Sequence, residues 1–228
     1  VLSLLEGKYR RPARKLVLDQ INLSVGTGEK IGIIGANGSG KSTLLKMICG
    51  ILEPTGGTIR VRGQVAPLIE LGAGFDPEMT VMEHIILYGV LLGFPRNEMI
   101  ARAASILDFA ELQDYAQSPV KALSSGMNAR LGFAIATDVQ PDILILDEVL
   151  AVGDESFRQK CKKRMDQLWD GHATVLLVSH MLDDIQKSCD RVIWLDRGKI
   201  RYEGNAHETI VEYLSAVEKG LDVGLHRN

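Results

Sequence analysis

The sequence predicts an α/β fold with a helical subdomain inserted into it, and three observations predict that. Short apolar runs at residues 31–34, 58–61, 143–146, 174–178, 191–195 and 199–202 lie towards the two ends of the chain. Runs of this length, closed by turn-forming or polar residues, read as strands. Two of them, 143–146 and 175–178, are apolar throughout, the pattern of parallel strands covered on both faces. Residues 81–139 follow a different period. Apolar residues recur there at three- and four-residue spacing over 81–92, 96–109 and 125–139, with Pro95 and Pro119 as breaks. A last helix is expected over 206–217 and a loose tail over 220–228. The 228 residues then form one domain, with a core of about 1–75 and 140–219 and a helical subdomain of about 76–139.

The first strand leads into the strongest motif. Residues 31–34 are followed by Gly35, Ala36, Asn37, Gly38, Ser39, Gly40, Lys41, Ser42 and Thr43, and then by the apolar stretch 44–48. The order is strand, G-x-x-x-x-G-K-S, helix. Glycines allow the loop to wrap tightly, so that successive backbone N–H groups point inward at phosphate oxygens, and the helix start adds its positive dipole end. In such a loop Lys41 reaches the β and γ phosphates of a nucleotide and the Ser42 hydroxyl ligates Mg²⁺. A chance glycine turn would not also satisfy the strand and helix on either side. Kinases, GTPases and motor ATPases share this loop, but the N-K-x-D base-reading motif of a GTPase is absent.

The strand at 143–146 ends in two acids, Asp147 and Glu148. The C-terminal ends of parallel strands form the ligand edge of an α/β sheet. Asp147 is expected to help hold Mg²⁺, directly or through water, and Glu148 to polarise an attacking water.

Bulk properties narrow the partners. A net charge of −3, with both signs spread along the chain, gives no electrostatic footprint for DNA or RNA. The basic run at 160–164 (KCKKR) reads as the wet face of a helix. Three scattered cysteines, Cys49, Cys161 and Cys189, suit a reducing compartment better than a disulfide framework. No apolar h-region precedes Arg10, Arg11 and Arg14, and the longest uncharged apolar run, 85–94, falls short of the about 20 residues a membrane helix needs. The chain is expected to be soluble by itself and to meet a membrane only through a partner.

At Leu123, Ser124, Ser125, Gly126 and Met127, 20 residues ahead of Asp147, a family resemblance enters. L-S-S-G-M resembles the L-S-G-G-Q signature of ATP-binding-cassette (ABC) ATPases, with Ser125 and Met127 at the departing positions. Gly153 and Asp154 resemble that family's D-loop, His180 its γ-phosphate-sensing switch histidine, and Tyr9 the aromatic that stacks on adenine. Glu70 stands where the family usually has the Gln that couples nucleotide to the membrane subunit, and is a further candidate Mg²⁺ ligand. The strings from Asp147 to Cys161 and from Ile69 to Phe75 resemble the ATPases of bacterial polysaccharide exporters (O-antigen, capsule and teichoic acid). Some of these carry an extra C-terminal carbohydrate-binding domain; with about ten residues following its last expected helix, none is expected in this chain.

The resemblance implies a P-loop ABC ATPase core with a mixed sheet. It implies ATP and Mg²⁺ as ligands and a head-to-tail dimer, in which Ser124, Ser125 and Gly126 of one copy close over the nucleotide of the other. It also implies a transmembrane permease as partner, at the cytoplasmic face of the bacterial inner (plasma) membrane. The alternatives are the same engine in a drug or lipid exporter, a cytosolic ABC ATPase acting on DNA or ribosomes, and a small-molecule kinase. The first two use this motif set, and the kinase lacks Ser124, Gly126 and His180 in these roles.

Overall fold

The structure, a computed structural model, describes residues 16–69, 76–138, 141–147, 153–179 and 181–219. The expected tail at 220–228 lies outside them. Six strands form one sheet: β1 (Lys30–Ile34), β2 (Val65–Leu68), β3 (Ile143–Asp147), β4 (Thr174–Val178), β5 (Arg191–Asp196) and β6 (Lys199–Asn205), in the order β2-β3-β4-β1-β5-β6. The first five are parallel, and β6 returns antiparallel on β5, which makes the sheet mixed.

The alternation of side chains along these strands builds a core on each face. Ile31 and Ile33 of β1 join Ile145, Leu176, Val178 and Ile193 beneath Leu44 and Leu45 of α1 (Lys41–Ile48). Ile34, Val192 and Trp194 face the other way. They pack against Ile185 of α6 (Leu182–Ser188) and Ala206 and Ile210 of α7 (Ala206–Glu218).

Helices α2 (Val81–Leu91), α3 (Arg96–Ala110) and α4 (Ser125–Asp138) share a separate core around Ile85, Met99, Ile106 and Leu131. Thr80 starts α2 with a capping box: its hydroxyl accepts from Glu83 N at 3.2 Å, and its own N–H donates to Glu83 Oε2 at 2.9 Å. Helix α4 belongs to both bodies. Its Leu131, Ala134 and Ile135 enter the helical core, whereas Phe133 and Ala136 pack with β2, β3 and α5 (Glu155–Trp169).

Two expectations need correction. Residues 58–61 form no strand; Ile59 and Val61 are exposed, and among the described residues their alternation meets no sheet partner. The strand in that part of the chain is β2 instead, an edge strand among the described residues that tolerates Pro67 because it pairs with β3 on one side. The basic run is only half a wet face. Lys162 and Lys163 are exposed, but Lys160 donates to the Phe109 carbonyl (3.0 Å) and Arg164 to the Thr137 carbonyl (3.0 Å). Long cations there complement the C-terminal ends of α3 and α4 and tie α5 to the helical body.

Candidate functional site

The phosphate-type loop leaves β1 at the carboxyl edge of the sheet and enters α1. Gly35, Gly38 and Gly40 all have positive φ, at 147°, 76° and 109°. Gly35 is the most constrained, since a Cβ there would lie 2.1 Å from the Leu195 carbonyl oxygen of β5. The loop bends back so closely on the sheet that no other residue fits. Gly40 precedes α1 without any side-chain cap, so the first-turn N–H groups have no side-chain acceptor of their own at that position.

Asn37 and Gly38 are exposed at the loop's crown, while Ser39 and Lys41 are buried. The Lys41 ammonium turns back into the loop, donating to the carbonyls of Gly35 (2.7 Å) and Ala36 (2.9 Å). Burial lowers the Lys41 pKa from its ordinary value, and the nearby Asp147 carboxylate opposes that shift. Ser39 Oγ is buried with no hydrogen-bond partner, a polar atom facing the loop without a protein acceptor or donor.

Ser42 is exposed, and its Oγ lies 3.4 Å from Asp147 Oδ2 at the end of β3. Thr43 is half-buried behind it. A hydroxyl and a carboxylate at this spacing are hard oxygen donors of the kind Mg²⁺ takes, usually from one or two protein groups with substrate phosphates and water completing the shell. The residues present therefore fit the ion. No cluster of three or more His, Cys, Asp or Glu able to hold a metal occurs among the described residues.

The expected signature residues lie elsewhere, at the start of α4. Ser124 caps the helix: its Oγ accepts from Met127 N (3.2 Å) and its carbonyl from Asn128 N (2.9 Å). Ser124, Ser125 and Gly126 are exposed, and Leu123 anchors the turn in the helical core. The structure thus joins Lys41, Ser42 and Asp147 into one site and leaves Ser124, Ser125 and Gly126 on an open face. Tyr9, Glu70, Glu148 and His180 lie outside the described residues.

Sequence reasoning missed one supporting element. The turn between β5 and β6 places Gly198 N–H on the Ser39 carbonyl (2.9 Å), and the Gly198 carbonyl accepts from Asp19 N (2.8 Å). Gly198 has φ 79°, and a Cβ there would lie 2.2 Å from the Val17 carbonyl oxygen. The Arg197-Gly198 turn is legible between two strand patterns; that it grips the loop at Ser39 is not, because the partner is far away in sequence.

A second cavity, about 530 Å³, opens between α1, β2 and α2 and is lined in part by Cys49, Ile51, Pro67, Tyr88 and Leu91. The run at 85–94 divides here. Ile85, Gly89 and Phe94 are buried, while Leu87, Val90 and Leu91 are exposed, Leu91 among the residues that line the cavity. No described helix is long and apolar enough to cross a membrane.

Comparison with known proteins adds to this geometry. The sequence model of a family described as ABC transporter matches residues 18–151. An O-antigen export system ATP-binding protein of Klebsiella pneumoniae is 42% identical over 215 residues, 94% of this chain and 85% of that protein. A teichoic acids export ATP-binding protein of Levilactobacillus brevis is 45% identical over 193 residues, 85% of this chain and 53% of the relative. Among solved structures, the ATP-binding subunit of an ABC transporter superposes with a TM-score of 0.71 at 27% identity, covering 86% of this chain and 87% of that one. A dimeric post-hydrolysis ATP-binding cassette bound to ADP and Pi gives a TM-score of 0.65 at 25% identity, covering 83% and 90%.

Proposed function

This chain belongs to the ABC transporter family as one of its ATP-hydrolysing subunits, and from that premise we propose that it drives export of a lipid-linked cell-surface polysaccharide. The observation that supports the polymer class is the likeness, at 42% and 45% identity, to the ATPases of two polysaccharide export systems, O-antigen and teichoic acid. We assign the whole chain to one nucleotide-binding domain, with the helical subdomain at about 76–139.

In this reading the β and γ phosphates of ATP displace the carbonyls that hold Lys41, and the loop N–H groups around Gly38, Gly40, Ser42 and Thr43 take the remaining oxygens. Mg²⁺, held by Ser42 and Asp147 with Glu70 as a further ligand, supplies neutralisation of charge on the phosphate oxygens. Glu148 accepts a proton from the water that attacks the γ-phosphorus as its bond to the bridging oxygen breaks, leaving ADP and phosphate. His180 donates a hydrogen bond to the γ-phosphate, and Tyr9 stacks on the adenine.

The exposed start of α4 acts on another copy. Two chains pair head to tail, and each presents Ser124, Ser125 and Gly126 to the nucleotide in its partner's loop. The 530 Å³ cleft, lined in part by Tyr88, Leu91 and Leu92, receives a cytoplasmic segment of a transmembrane permease at the inner face of the plasma membrane. Glu70 links that cleft to the nucleotide.

Two measurements test this. With ATP and Mg²⁺, Glu148→Gln is expected to run as a dimer on size exclusion while retaining bound ATP; a monomer that binds ATP normally would remove Glu148 from its role. In the host, loss of the chain is expected to leave the polymer synthesised but absent from the cell surface, with restoration by the wild type and not by Lys41→Ala. Unchanged surface polymer together with lost efflux of a drug or lipid would favour the other exporter class.

A further inference from the structure

Arg130 takes no part in the phosphate site, yet it is held by two carboxylates and a ring close to the open start of α4. It stands five residues beyond Ser125, about 7–8 Å along the helix axis at 1.5 Å per residue. Its Nη1 donates to Glu111 Oε2 at 2.7 Å and its Nη2 to Asp154 Oδ2 at 2.8 Å, and the guanidinium carbon lies 4.6 Å from the centre of the Phe157 ring.

Each carboxylate is shared. Asp154 uses its other oxygen to cap α5, accepting from Phe157 N at 2.9 Å. Glu111, just past the end of α3, takes Lys160 of α5 on its other oxygen at 3.0 Å. Beside them, a Cβ on Gly153 would lie 3.0 Å from both Arg130 Nε and Phe157 Cβ, so the backbone at 153 presses directly on this side chain. One planar fork therefore joins the end of α3, the first turns of α4 and the start of α5. A lysine could not hold the same two directions.

The accessibility of the partners decides what these bonds are for. Asp154 and Glu111 are 65% and 46% accessible, while Arg130 is 17%. Ion pairs to such exposed carboxylates add little stability. Their effect is geometric: they fix the position of the segment 153–154, which follows β3 and Asp147, relative to the turn that carries Ser124 and Gly126.

We propose that Arg130 is a positioning residue that locks Gly153-Asp154 and the Ser124-Ser125-Gly126 turn into one rigid face, so that a second copy of the chain meets both together. This rests on the head-to-tail pairing proposed above.

Two substitutions separate geometry from folding. Arg130→Met keeps an unbranched stem over Phe157 and removes both ion pairs. Asp154→Asn keeps an oxygen to cap α5 and removes one. Each is expected to lower kcat about tenfold with KM for ATP within about twofold, and the double variant to lose about tenfold rather than about a hundredfold, because the two residues act as one unit. In a Glu148→Gln background, Arg130→Met is expected to need about tenfold more protein for ATP-driven dimerisation. Dimerisation and kcat unchanged in Arg130→Met, or losses that simply multiply in the double variant, would overturn the positioning role alone. A Glu148→Gln parent that fails to dimerise with ATP would overturn both the pairing and this role.

Discussion

The loop before α1 and the turn before α4 are both helix starts ready for an anion, and they are built in opposite ways. The first is buried against the sheet, is held by the β5–β6 turn through Ser39, and has no side-chain cap. The second is exposed, and Ser124 caps it with its own hydroxyl. A start without a side-chain cap has first-turn N–H groups suited to phosphate oxygens. A capped, exposed start is stable alone and offers its polar face outward. On the proposed head-to-tail pairing, the difference means that one start belongs to the chain's own nucleotide site and the other is addressed to a second copy.

Substitutions at the two starts should therefore differ in kind. Lys41→Ala is expected to abolish ATP binding or to lower hydrolysis by well over about 10²-fold, because it removes the only charge the loop aims at the phosphates. Equilibrium binding of a fluorescent ATP analogue and phosphate release check it. Ser124→Arg should leave ATP binding by the isolated chain intact and lower turnover about 10²-fold, since the bulk and charge block the partner's approach. The sharpest form of the comparison is a mixture. Equal amounts of Lys41→Ala and Ser124→Arg should regain measurable hydrolysis, because one of the two composite sites in a mixed pair combines an intact loop with an intact turn. A mixture no more active than its components would place both starts in the same site.

Gly198→Ala probes what holds the buried start. A Cβ there meets the Val17 carbonyl, and the turn must shift from Ser39. The expected result is a rise of about tenfold in KM for ATP and a lowered melting temperature, with kcat less affected. Thr80→Ala, in the capping box of α2, should lower stability by about 1 kcal/mol in chemical denaturation without changing KM, as it touches neither start.

The buried half-site was legible because its parts are consecutive. Gly35 to Thr43 carry their chemistry in nine adjacent positions, and strand and helix patterns flank them on both sides. Asp147 was legible for the same reason, as the polar end of an apolar run. What sequence reading lost depended on distant partners. Residues 58–61 have strand-like alternation but no partner among the described residues, whereas β2 contains a proline and is a strand because β3 lies beside it. Lys160 and Arg164 looked like solvated charges, since the carbonyls of Phe109 and Thr137 that they reach are 51 and 27 residues away. The grip of Gly198 on the loop and of Arg130 on Asp154 are invisible for the same reason.

The turned-back Lys41 has a consequence for ligand choice. Its ammonium already has two neutral acceptors, Gly35 O and Ala36 O, at full hydrogen-bond distance. The protein itself fixes the side chain through these two bonds, so the loss of up to about 2 kcal/mol of rotamer entropy that a lysine suffers on fixation belongs to folding rather than to binding. An incoming group must then offer more than two dipoles to draw the amine away, which a polyphosphate does and a nucleoside does not. Because burial has already weakened the amine's hold on its proton, the arrival of an anion strengthens it again. At alkaline pH, nucleotide capture should therefore be accompanied by uptake of protons from solvent.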